Sequence, residues 1–395
     1  MSINEPSRLT VKKKAKVKTM EVKTKYLLHW GITIVILALT AFSGTRQERP
    51  ETGFWALKGN LVTHVFEDKI DSLSGPELFE LQDEQGLPVW FGRHIFKDVC
   101  MTGECKMIRL WLFWDGTGKF LGMQMPENEP LTKSDHTKFE AADYKKLEDI
   151  LKDTMSILKD LKPEELIIVP DTLNPYRSHE PDGYTAATRP AIADVVVKDA
   201  VYTCHTLWHT VYGPVQKAIQ EFHTDRINEK YLALWFNSTH SGYNIWATDI
   251  LKMYPEYHEL FSPQIISFIE SENPELADQA LDYFNNFHLQ NKAIQFQMAE
   301  KIPVVSVTQK YKILWKFIEL KEVDEEVVLK LLVFFNQEDL DVGALNLIYR
   351  IITAEHLKNK EVSQMVSTLS AHENNYIRNL TLKLINNTSG FNQTH

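Results

Sequence analysis

From residue 228 to residue 388 one short apolar segment returns at a nearly constant spacing, and that period narrows the possible folds sharply. It reads N-I-W-A-T-D-I-L from Asn244, L-A-D-Q-A-L-D-Y-F from Leu276, L-D-V-G-A-L-N-L-I from Leu340 and Y-I-R-N-L-T-L-K-L from Tyr376. The starts lie 32, 64 and 36 residues apart, and the wide gap holds a weaker copy, T-Q-K-Y-K-I-L-W-K-F, from Thr308. Further helical runs precede the copies at residues 265–269, 327–335 and 362–369. One helix pair cannot bury its own apolar side, so successive pairs have to stack. The spacing predicts five units of 32–36 residues in an all-α solenoid over 228–388, with an irregular helical bundle as the alternative.

The other end of the chain is organised by charge. The whole sequence has 43 Lys and Arg against 53 Asp and Glu. Residues 1–25 are a basic tail, with Arg8, Lys12, Lys13, Lys14, Lys16, Lys18, Lys23 and Lys25 against Glu5 and Glu21. The remainder therefore carries a balance of −16, which repels phosphate backbones and argues against nucleic acid. Directly after the tail, residues 26–42 contain no charge. Cations followed by an apolar run give the positive-inside arrangement, so the sequence predicts export to an extracytoplasmic, periplasmic location. The run is short for a span, so residues 26–43 read either as a signal peptide or as a membrane anchor.

Between these ends lie a mixed, turn-rich extension at 44–90 with a helix expected at 75–82, and an α+β region at 91–215. Residues 107–114 and 119–125 are apolar runs joined by Asp115-Gly116-Thr117-Gly118, which predicts a β-hairpin. A helix is expected over 141–161, a strand over 166–169 and a helix over 191–212. Cys100 and Cys105 bracket C-M-T-G-E-C, a spacing that suits a small disulfide loop in an oxidising compartment. Cys204 is then left as a buried free thiol.

One motif points to chemistry: Asp182-Gly183-Tyr184-Thr185-Ala186-Ala187-Thr188. It resembles D-x-x-(S/T)-(G/A)-A-T, the signature of the FMN-binding domain family, in which the last Thr is esterified to FMN. The sodium-pumping NADH:quinone oxidoreductase and its Rnf counterpart contain such domains. The resemblance covers roughly residues 95–215 and implies covalent FMN on Thr188, with Asp182, Thr185, Ala186 and Ala187 as the sequence a flavin transferase recognises. Ala186 stands where Gly is commoner in the family. The residue types suit the task. Thr188 supplies a hydroxyl, small neighbours leave room, a helix starting near Ala191 aims N–H groups at a phosphate, and Arg189 adds a cation. The units at 228–388 are similar to HEAT-like repeats.

The fold expected is therefore an α+β FMN-binding-like domain followed by an all-α solenoid of HEAT-like repeats. The function expected is an exported flavoprotein that transfers electrons in the cell envelope, partnered by a flavin transferase and an envelope redox protein. The alternative is a non-enzymatic envelope scaffold that binds a protein partner through its helical repeats. Trp111, Trp114, Tyr184 and Trp208 are candidates to pack on an isoalloxazine ring, although such residues are more often core. His205 and His209 have the i, i+4 spacing of metal ligands beside Cys204, but buried structural histidines are the preferred reading, and no metal is expected. No phosphate-cradling glycine motif or serine-hydrolase motif is present.

Overall fold

The computed structural model describes residues 52–66, 73–99, 106–168, 187–188 and 190–390. The chain divides into two compact units, Met1–Trp55 and Ala56–His395. The sheet and the helices named next all lie in the second.

Its first part is an antiparallel five-stranded sheet in the order β1-β2-β3-β4-β5, comprising Asn60–Val65, Glu77–Gln82, Pro88–Lys97, Ile108–Trp114 and Phe120–Gln124. The expected hairpin is β4–β5. Asp115 Oδ1 accepts from the amides of Thr117 and Lys119, and Gly118 takes the left-handed φ of +83° that the turn needs. One face of the sheet presents Leu78, Phe91, Ile95, Leu110, Leu112 and Trp114 to a core completed by helices α1 (Ala141–Lys152) and α3 (Val201–Val211). On the other face Phe79, Trp90, Trp111 and Phe113 are also buried, with Trp90 and Phe113 edge to face at 5.2 Å.

Three local expectations need correction. Residues 75–82 are not helical; Glu77–Gln82 is strand β2, paired on both sides with β1 and β3. Leu78 and Leu81 are spaced for a helix, but Leu78, Phe79 and Leu81 are all buried, on opposite faces of a sheet. The helix expected over 141–161 ends at Lys152, and a separate 3-10 turn, Ile157–Asp160, follows under a Ser156 cap. The helix expected over 191–212 is split into the single turn α2 (Pro190–Ala193) and α3, with Asp199 between them at a φ of +60°. The strand expected at 166–169 is present as β6 (Ile167–Ile168).

After α4 (Pro214–Thr224) the described residues form helices joined by turns, with no strand among them. Helices α5 (Glu229–Phe236), α7 (His258–Phe268), α9 (Lys292–Ala299), α11 (Glu325–Asn336) and α13 (Lys360–Ser370) alternate with α6 (Ser241–Leu251), α8 (Pro274–Tyr283), α10 (Val307–Ile318), α12 (Val342–Ile351) and α14 (Asn375–Gly390). The second members pack in succession, α6 on α8, α8 on α10, α10 on α12 and α12 on α14; α9, α11 and α13 pack likewise. Asn228, Asn273, Asn291, Ser306, Asp324, Asp341 and Asn359 are N-caps whose side chains accept from first-turn amides, so each start is fixed locally.

Polar contacts between neighbouring helices recur at a similar sequence separation. Asn273 bonds Ser241, Lys316 Nζ donates to the Phe284 carbonyl, Lys330 meets Glu300, Tyr311 meets Asp341, His356 reaches the Val323 carbonyl and Tyr349 meets Thr381. These partners lie 30–33 residues apart. The fold is thus an α+β region followed by a helical array.

Candidate functional site

Thr188 lies on strand β7 (Ala187–Thr188), which pairs antiparallel with β6 in the register Ile167↔Thr188 and Ile168↔Ala187. β6 is held from below, because Leu166 is fully buried and Ile167 packs on the sheet–helix core. Two residues beyond Thr188, α2 inserts Ile192 into the same core, followed by Val196 and Val197. Thr188 is therefore anchored on both sides while its side chain stays half-exposed. Asp182, Tyr184, Thr185, Ala186 and Arg189 lie outside the described residues, as do Cys100 and Cys105; of Ala187 only the backbone is described. The helix expected to aim amides at a phosphate is one turn long at this point, so its dipole is small.

The candidate ring-packing tryptophans are committed elsewhere. The Trp114 indole N–H donates to the Val211 carbonyl at 3.0 Å and that of Trp208 to the Asp153 carbonyl at 2.9 Å. Trp111 packs between Phe79 and His94. All three are buried. Among the described residues, Thr188 is partly exposed, and these three tryptophans offer no stacking surface for a ring.

His205 and His209 fasten α3 to the segment before β6. Their Nε2–H groups donate to the carbonyls of Leu161 at 2.8 Å and Leu158 at 3.0 Å, which engages one ring nitrogen of each. Cys204 accepts from the Val197 amide, and burial pushes its thiol up to about 12, far from thiolate. A second histidine pair, His258 and His288, stacks at 4.2 Å with an 11° interplanar angle beside Tyr283. Parallel rings hold their in-plane lone pairs in separate, nearly parallel planes, which does not suit a shared ion. Among the described residues no group of three or more His, Cys, Asp or Glu could hold a metal.

A dense buried polar constellation lies where the sheet meets the array, and the sequence gives no direct sign of it. Glu80 on β2 is fully buried. Both its oxygens accept from Arg226 at 2.8 Å, and one also accepts from His64 at 2.6 Å. Burial by itself would raise the Glu80 carboxyl, but the hydrogen bonds from Arg226 and His64 outweigh it and hold it at about 2. Beside it the hairpin turn docks into the array. The Gly116 carbonyl accepts from His223 Nε2 at 2.6 Å, and the Gly116 amide donates to the Tyr243 hydroxyl at 3.0 Å. That hydroxyl donates to the Pro88 carbonyl, and the Tyr231 hydroxyl meets His223 Nδ1 at 2.7 Å. Burial pulls the His223 imidazole down to about 4, so it is neutral at pH 7. A Cβ at Gly116 would sit 2.9 Å from the Tyr243 oxygen and 3.1 Å from the Trp235 ring. These interactions position two parts of the molecule; what the cluster can do is fix geometry. Its sequence trace is slight: a glutamate flanked by apolar residues in L-F-E-L, and H-T-D-R at 223–226.

No family model, no curated protein and no solved structure matches the chain. No helix among the described residues is long and apolar enough to cross a membrane, and residues 26–42 lie outside them.

Proposed function

We propose that this chain is an exported flavin carrier, with FMN joined through its phosphate to Thr188 and with HEAT-like repeats that hold the carrier to an envelope partner. The observation that carries this reading is Thr188 itself. Thr188, the last residue of the D-G-Y-T-A-A-T motif, is paired with β6 and is partly exposed. A modifying enzyme needs a reachable hydroxyl, and a tethered redox group needs a fixed base. In the attachment step a flavin transferase would direct Thr188 Oγ at the FMN phosphorus of FAD. The Oγ–P bond forms, the bond to AMP breaks, AMP leaves and the hydroxyl proton passes to the transferase. When bound, FMN supplies electron transfer; the chain's own residues orient it. Cys100 and Cys105 are proposed to pair as a disulfide, consistent with an oxidising compartment.

Intact mass and peptide mapping test this directly. Coexpressed with an active flavin transferase and exported, the peptide containing Thr188 should gain one FMN less a water, and visible absorbance should survive denaturation and washing. Thr188→Val keeps the branched shape without the nucleophile and should abolish both. An unmodified wild-type peptide under these conditions overturns the flavin reading.

A second reading has its own support. The unit-to-unit contacts at 30–33 residues describe an array braced along its length, the form of a protein-binding scaffold. If Thr188 is never modified, the scaffold reading takes the lead, with the sheet region as a rigid end-piece.

A further inference from the structure

The second helices of the array divide by charge. Helices α6 and α8 contain Asp249, Glu275, Asp278 and Asp282 and no Lys or Arg. Helices α10, α12 and α14 contain Lys310, Lys312, Lys316, Arg350, Arg378 and Lys383 and no Asp or Glu. Asp249, Asp282, Trp315, Arg350 and Lys383 are each the ninth residue of their helices, so they take the same place on successive helices. Side-chain contacts link the neighbouring helices. Lys312 pairs with Asp278 at 2.6 Å, Lys316 reaches the Phe284 carbonyl, and the Arg350 guanidinium stacks on Trp315 at 4.7 Å. Asp249, Asp282, Arg350 and Lys383 are exposed. Asp249 keeps a local pair with Lys252, while Lys316 is half-buried with its amine turned to a backbone oxygen. At the centre of the stripe is Trp315, 45% exposed.

We infer that this stripe is a docking surface for a second copy of the chain, turned end for end about a two-fold axis near Trp315. The argument is one of complementarity. The stripe runs from two acids to two exposed bases, and its own reverse is the pattern that matches it. In the antiparallel arrangement Asp249 faces Lys383 of the other copy, Asp282 faces Arg350, and the two Trp315 rings meet at the middle. A partner of one sign would be repelled by half of the surface, whereas a two-fold partner meets opposite charge at both ends. Trp and Arg at the centre are the residue types that dominate interface energies. The repeats make this possible, because they place one position at regular intervals along a line.

Analytical ultracentrifugation of the full chain in mild detergent tests the inference. The wild type should show a monomer–dimer equilibrium that weakens at least about tenfold when salt is raised from about 50 to about 500 mM. R350E/K383E and D249K/D282K should each be monomeric at protein concentrations where the wild type dimerises. An equimolar mixture of the two should recover a dimer, because an all-acidic end then meets an all-basic one. Equal thermal midpoints for the variants exclude misfolding as the cause. A wild type that stays monomeric at about 100 µM, well above the micromolar dissociation constants of weak specific pairs, overturns the inference. So does a mixture that fails to associate, including when the wild type binds only some other protein.

Discussion

The junction between sheet and array and the ladder within the array are both built from polar side chains, yet they hold by different physics. At the junction the carboxylate is removed from water: Glu80 has no exposed side-chain surface, and its partner Arg226 is 28% exposed. Along the ladder Lys330 and Glu300 remain 32% and 47% exposed. An exposed pair exchanges hydration for a screened attraction and gains little. A buried pair has already given up its hydration, so its worth appears mainly when one partner is deleted and the other is stranded. Sensitivity to losing one member of a charge pair is therefore greatest at the seam, while the array is held by its apolar interior.

The sharpest way to break that contrast is Arg226→Met. It leaves a buried carboxylate with His64 and Gln82 alone, and should cost about 3–5 kcal/mol of unfolding free energy by denaturant titration. Glu80→Leu combined with Arg226→Met should cost less than the single variant, since no charge is then stranded. A double variant as damaging as the single would show that the pair acts through shape.

Acid comes next. His223 is neutral in the fold with its pKa lowered to about 4, against an ordinary value of 6.5. Its contribution is fully present above pH 6.5 and is lost as pH falls from there to about 4, because the unfolded chain takes up a proton that the fold refuses. The advantage of wild type over His223→Gln should therefore shrink by about 3 kcal/mol between pH 7 and pH 4. A pH-independent gap would mean that His223 takes up its proton equally readily in the folded and unfolded chain.

Gly116→Ala places a methyl group against Tyr243 and Trp235, and we expect a loss of about 1–3 kcal/mol from the overpacked seam. At the small end, Lys330→Ala should change stability by less than about 1 kcal/mol, mostly through lost contact with the rings of Phe296 and Phe334. A loss above about 2 kcal/mol there, measured in the same titration, would erase the distinction between seam and ladder.

How far the fold was legible depended on how local its causes were. The hairpin could be read because Asp115-Gly116-Thr117-Gly118 separates two apolar runs and the turn chemistry is complete within it. The all-helical half could be read because apolar residues recur there at helical spacing. Strand β2 could not, because E-L-F-E-L-Q has helical spacing and its strand state is imposed by β1 and β3. The seam was equally hidden, since nothing near Glu80 announces a partner 146 residues away. At Thr188 the motif was visible, but the strand pairing that anchors it was not, because two-residue strands carry no periodic signal. Trp114 and Trp208 read as ring-stacking candidates because their true partners, carbonyls of remote segments, leave no mark on the local sequence.

The docking of the Gly116 turn also has a bearing on the order in which the molecule can assemble. Ladder contacts close loops of 30–33 residues, whereas Gly116 meets His223 across 107 residues and Tyr243 across 127. Loop-closure entropy and the slowness of distant pairing both favour the short loops first. The array should then acquire its helix-to-helix contacts early, one neighbour at a time, and present the Tyr243–Trp235 recess ready-made. The sheet arrives afterwards as a preformed hairpin whose tip finds that recess. Closure of the seam is the late step that turns two separately ordered parts into one cooperative unit.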